Sequence, residues 1–138
     1  LRMAWRPSVM VWLVQVGVGL RAAQVQRLGA VETYIASALD VPGHPLPVPT
    51  PGHTSGHAAL RLPEAGVLMV GDALTTGHAL VSSTGPQLLP DLFNSDTAQA
   101  RASLELLRPL SADVVIPGHG PVFGGTPNRA VDLALQHP

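Results

Sequence analysis

No cysteine occurs among the 138 residues, which excludes disulfide staples and thiolate metal ligands. Any metal held by this chain must be bound by His, Asp, Glu or water. Net charge is almost absent too: eight arginines and no lysine against nine acidic residues leave a formal charge of −1. No long-range field therefore draws the chain to nucleic acid or to an acidic membrane, and neither is expected as a partner. Long apolar runs are also missing. The stretch from Ser8 to Leu20, SVMVWLVQVGVGL, is only 13 residues long, whereas a membrane-spanning helix needs about 20. Arg2 and Arg6 ahead of it lend a faint likeness to a signal peptide, but a buried strand or short helix is the simpler expectation. A cytoplasmic location is the expectation, with the signal-peptide likeness as its alternative. There is no internal repeat and no low-complexity segment, and the length suits one domain with a real core.

What is present is a pattern of short apolar runs alternating with helical ones. Arg21 to Leu39 reads as a helix, with Val25, Leu28, Ile35 and Leu39 on one face. Asp40 to Pro49 is proline-rich and must be extended or looped. Leu60 and Leu62 flank Arg61 as on a half-buried strand, Pro63 to Gly66 is a turn, and Val67 to Val70 fits a buried strand. The irregular stretch from Ala73 to Asn94 is long enough to be functional or mobile. Ser95 or Asp96 can cap a helix through Leu107, with Ala98, Ala102 and Leu106 as inward candidates. Asp113 to Ile116 is another short strand, and Thr126-Pro127 opens a helix that continues from Arg129 to Gln136. Strands alternating with helices imply an α/β or α+β domain.

Three polar residues share one local grammar. His53 follows Pro51-Gly52, Asp72 follows the run Val67–Val70 and Gly71, and His119 follows Asp113–Ile116 and Pro117-Gly118. Each lies just past a predicted strand end in a glycine-bearing turn, where neighbouring strands would gather them at one rim. Two imidazoles and a carboxylate are ligands that a zinc-like cation accepts when thiolates are lacking. Taken singly, each is as well read as an ordinary turn residue.

Together, TPGHTSGH, VLMVGDAL and VVIPGHGPVF resemble the metallo-β-lactamase superfamily in order and spacing, over roughly Val48 to Leu135. The resemblance implies a metal-dependent hydrolase that cleaves esters, thioesters, lactones, lactams or phosphoesters through metal-activated hydroxide. It implies a partial αββα sandwich, of which this chain is the C-terminal half. It also implies a small-molecule substrate and a divalent cofactor, foremost zinc, up to two ions, with iron or manganese as alternatives. By the same resemblance His53 and His119 would each ligate one metal, and Asp72 would bridge the two and serve catalysis.

The resemblance has a gap. The family pattern H-x-H-x-D-H does not occur, since histidine stands only at positions 44, 53, 57, 78, 119 and 137. With Leu1 in place of an initiating Met, the expectation is a fragment: residues 1–40 as a segment of uncertain origin and 41–138 as the C-terminal part of the domain. Such a chain would be inactive alone. A non-catalytic remnant or binding module is the alternative. A bare inner sheet face would invite a second copy or a missing N-terminal half. Of the other histidines, His57 is expected to support a ligand, and His78 to face substrate or solvent. His44 is expected to be a loop residue.

Overall fold

The structure is a computed structural model, which describes residues 7–22, 29, 33, 37–81 and 83–136. The chain divides into two compact units, Leu1–Thr33 and Tyr34–Pro138. The first contains helix α1, Pro7–Ala22. A helix matches one of the two expectations for this stretch. It is not a buried one, because Met10, Val11, Leu13, Val14 and Val18 are each about half exposed or more. Among the described residues no helix is long and apolar enough to cross a membrane. Most of the expected helix Arg21–Leu39 lies outside the described residues; its end, residues 37–39, is not helical.

The second unit is built on one five-stranded sheet in the order β1-β2-β3-β4-β5. Its strands are β1 (Leu46–Pro49), β2 (Ala58–Leu62), β3 (Val67–Gly71), β4 (Val114–Pro117) and β5 (Phe123–Gly124). Pro47 and Pro49 sit in β1 because it is an edge strand, where a missing N–H interrupts no ladder on its outer side. β5 has no periodic signal in its two residues, and only its pairing with β4 defines it. Neighbouring strands are antiparallel except β3 and β4, which are parallel.

Alternation gives this sheet two unequal faces. Ala59, Leu68, Val70 and Val115 point to one side and are fully buried. They pack with Leu104, Leu107, Ala130, Val131 and Ala134 from the helical layer. Their neighbours in sequence point the other way, and Met69 there is 41% exposed. The helical layer comprises α2 (Thr97–Ser103), which passes into a 3-10 turn at Leu104–Leu106, and α3 (Pro127–Gln136). Asp96 caps α2 by accepting from the Gln99 N–H at 2.9 Å. The inward face differs from the expected one. Ala98, Ala102 and Leu106 are exposed, whereas Ala100, Ser103, Leu104 and Leu107 are buried. Tightening to 3-10 pitch after Ser103 rotates the later residues away from a continuous α-helical stripe.

In its described residues the stretch from Ala73 to Asn94 is irregular apart from a 3-10 turn at Asp91–Phe93, but it is tied down. Thr75 and Gln87 exchange backbone hydrogen bonds, and the buried Gln87 side chain donates to the carbonyls of Ser83 and Gly85. Leu88 and Leu89 are buried, so they serve packing, while Leu92 is exposed.

Candidate metal centre

Strand direction decides where the polar turns meet. β1 is antiparallel to β2, β2 is antiparallel to β3, and β3 is parallel to β4. So β1, β3 and β4 all run the same way and end at the same rim. His53 lies in the turn after β1, Asp72 directly follows β3, and His119 lies two residues past β4. His57, just ahead of β2, is at this rim as well. His44 precedes β1 and therefore sits at the opposite rim, exposed, in a left-handed turn. His137 lies outside the described residues.

The Asp72 carboxylate stands between two imidazoles. His53 Nε2 is 3.5 Å from Oδ2 and His119 Nε2 is 3.6 Å from Oδ1. Both separations exceed the usual hydrogen-bond range. Two ligand atoms each about 2.1 Å from one tetrahedral ion lie about 3.4 Å apart, which is close to both observed values. Asp72 Oδ1 and His53 Nδ1 are buried and have no hydrogen-bond partner among the described residues. The donor set, the spacing and the orphaned oxygen thus fit a divalent cation beside this carboxylate. Among the described residues no three His, Asp or Glu side chains converge on one point as in a complete cage. The arrangement is two two-ligand pairs, short of the three protein ligands of a catalytic zinc site.

Each side chain is held by its neighbours. The His53 turn docks on the start of α2: Ser95 donates to the His53 carbonyl through its N–H at 3.1 Å and its hydroxyl at 2.9 Å, and the Asp96 N–H donates to Gly52 O at 2.9 Å. Gly52 is required there, because a Cβ would run into the backbone of Ala100. Behind Asp72, the Gly118 N–H donates to Gly71 O at 2.8 Å. A Cβ on Gly118 would collide with Asp72 Oδ1. Thr76 fixes the His119 turn. Its N–H donates to the His119 carbonyl at 3.0 Å, and its hydroxyl donates to the Pro121 carbonyl.

Two further histidines complete the rim. His57 Nε2 accepts from the Asp72 N–H at 3.2 Å, and its Nδ1 lies 2.8 Å from Thr50 Oγ1 and 3.1 Å from Thr50 O. Burial is the main reason its pKa falls below the ordinary histidine value. His78 packs edge-on to His119 with centroids 5.5 Å apart and against Phe93 at 5.0 Å. Its Nδ1 accepts from the Leu80 N–H at 3.2 Å. Burial, and then the neighbouring His119, lower its pKa as well. Sequence reasoning missed Thr50 and Thr76. Thr50 stands in the TPGH motif, where it reads as turn filler; Thr76 stands in a stretch with no motif at all.

A model of the metallo-beta-lactamase superfamily matches residues 1–119, and the chain belongs to that superfamily. The probable metallo-hydrolase YflN of Bacillus subtilis (strain 168) is 33% identical over 79 residues, covering 53% of this chain and 30% of that protein. A metallo-beta-lactamase family protein of Thermus thermophilus has the same fold, with a TM-score of 0.57 at 24% identity over 96% of this chain and 47% of its own. So does the metallo-beta-lactamase FIM-1 of Pseudomonas aeruginosa in a mono-zinc form, with a TM-score of 0.51 at 20% identity over 77% of this chain and 44% of its own. The chain spans less than a third of the length of the curated relatives it matches.

Proposed function

We propose that the chain carries one wall of the centre of a metal-dependent hydrolase acting on a small ester, thioester, lactone, lactam or phosphoester. The observation that supports this is the Asp72 carboxylate flanked by one imidazole at each oxygen, at 3.5 and 3.6 Å. His53 with Oδ2 and His119 with Oδ1 would each hold one divalent ion, zinc foremost, with iron or manganese also suited to these ligands. A bound ion supplies Lewis acidity, which lowers the pKa of water and polarises a carbonyl or phosphoryl oxygen. Asp72, as a shared carboxylate, would set the spacing of the two positions. His78 and Phe93 form an aromatic flank beside His119, where the acyl part of a substrate would rest.

A second reading has its own support. Two protein ligands per ion are too few for a closed site, which favours a non-catalytic module when the chain stands alone. The test loads the purified chain with zinc, manganese or iron(II) and assays an aryl ester, a thioester, a lactone, a β-lactam and a phosphodiester. Metal-dependent turnover that disappears in Asp72→Ala, together with loss of metal, supports the hydrolase. Turnover retained by Asp72→Ala removes Asp72 from the centre. A folded chain that binds metal without turnover supports the non-catalytic module.

A further inference from the structure

We infer that His57 is the positioning residue of this rim. Its imidazole ties the backbone of Asp72 to Thr50, and so holds the carboxylate between His53 and His119. The inference rests on the metal-centre reading only for its consequence, and the tether itself stands on the geometry. An amide N–H can only donate, so Nε2, which accepts from Asp72 at 3.2 Å, must be the bare nitrogen. The proton of the neutral ring therefore sits on Nδ1, which donates to Thr50, with O at 3.1 Å and Oγ1 at 2.8 Å.

The surroundings are shaped for this ring. Thr50 is a firm anchor, buried to 1% exposure, and its N–H donates to the His57 carbonyl at 2.9 Å. Thr50 and His57 thus close the base of the turn that carries His53 with backbone and side chain together. Gly71 has φ +50°, and a Cβ there would lie 2.9 Å from His57 Nε2, so the glycine leaves the space the imidazole fills. His57 also stands edge-on to His53, with centroids 6.0 Å apart. One ring therefore fixes the turn of one ligand and the backbone of the next. Orienting groups of this kind control metal affinity without touching the ion.

The test compares His57→Gln, His57→Asn and His57→Leu in the full chain. Gln can place an acceptor where Nε2 is, Asn reaches only the Nδ1 position, and Leu offers neither. Long-range 1H–15N spectra of the metal-free chain should show the Nδ1–H tautomer. The Asp72 amide should exchange faster in the Asn and Leu variants than in the wild type or Gln variant. Zinc affinity, read by competition with a chromophoric chelator, should fall about 10–100-fold in Leu and Asn and be largely restored in Gln. An Nε2–H tautomer, or unchanged Asp72 exchange in Leu, overturns the tether. So does Asn retaining zinc while Gln loses it, which would give the role to the Thr50 contact alone. If the wild-type chain takes up no zinc, the metal-centre reading fails, and the tether is then decided by tautomer and exchange.

Discussion

At the scale of single residues, the rim is organised around one carboxylate. Asp72 follows a left-handed glycine, is held from behind by His57, and is walled by Gly118. Gly118→Ala separates site geometry from stability. Its Cβ would take the place of Asp72 Oδ1, the movable end of a partly exposed side chain, while the Gly71 carbonyl carbon stands at 3.2 Å. The carboxylate can swing away, so the fold should lose about 1 kcal/mol or less. On the proposed metal centre, zinc affinity should drop about tenfold or more, because Asp72 Oδ1 is displaced. Thermal melting of the metal-free protein and a chelator competition measure the two effects. Unchanged affinity would show that the position of Oδ1 does not matter to metal uptake.

At the scale of elements, the docking of the His53 turn on α2 decides which face of the helix is buried. Gly52 meets Ala100 so closely that no side chain fits between them, and this contact turns Ala100 and Ser103 inward. Ser103 reinforces it by donating to the Pro51 carbonyl at 2.7 Å. Gly52→Ala should therefore destabilise the chain by about 2–3 kcal/mol, through overpacking and strain at φ +135°. The midpoint of urea unfolding reads this directly. A change below about 0.5 kcal/mol, the range of an ordinary surface substitution, would mean that turn and helix are not packed as described. The cap of α2 was legible in sequence, since an Asp ahead of a helical run is a local signal. Its buried face was not legible, because Ala98 and Ala102 are as apolar as Ala100 and only the contact with Gly52 distinguishes them.

At the scale of the whole molecule, the sheet has a fully buried face and a partly exposed one, and adjacent residues of β3 report on each. Leu68 is fully buried and Met69 is 41% exposed. Leu68→Ala should cost about 2–5 kcal/mol of unfolding free energy. Met69→Ala should cost about 1 kcal/mol or less, since it leaves no buried cavity. Equal losses would mean that the outer face is covered in solution. Much of this unit was legible beforehand. Val67–Val70 and Asp113–Ile116 announce themselves as apolar runs between turn residues, and Thr126-Pro127 announces α3. β5 was invisible because Phe123 and Gly124 carry no pattern until β4 lies beside them. The apolar stretch from Ser8 suggested burial, yet Met10, Val11, Leu13, Val14 and Val18 are each about half exposed or more, because hydropathy records what a residue prefers and not what packs on it.

The sequence by itself determined which side chains are on offer to a metal. Without cysteine only imidazole and carboxylate remain, and the glycine-bearing turns at His53, Asp72 and His119 leave those side chains room at strand ends. Only the tertiary structure decided that the three belong to one place, because strand direction is set by pairing across the sheet. It also decided what His57 touches. Four residues from His53 can mean a helical metal pair, a strand neighbour or a support. The hydrogen bonds to Asp72 and Thr50, partners 15 and 7 residues away, are the observation on which the proposed support rests. Local chemistry is written residue by residue, whereas a site is an agreement among distant backbones, which exists only once the sheet has aligned them.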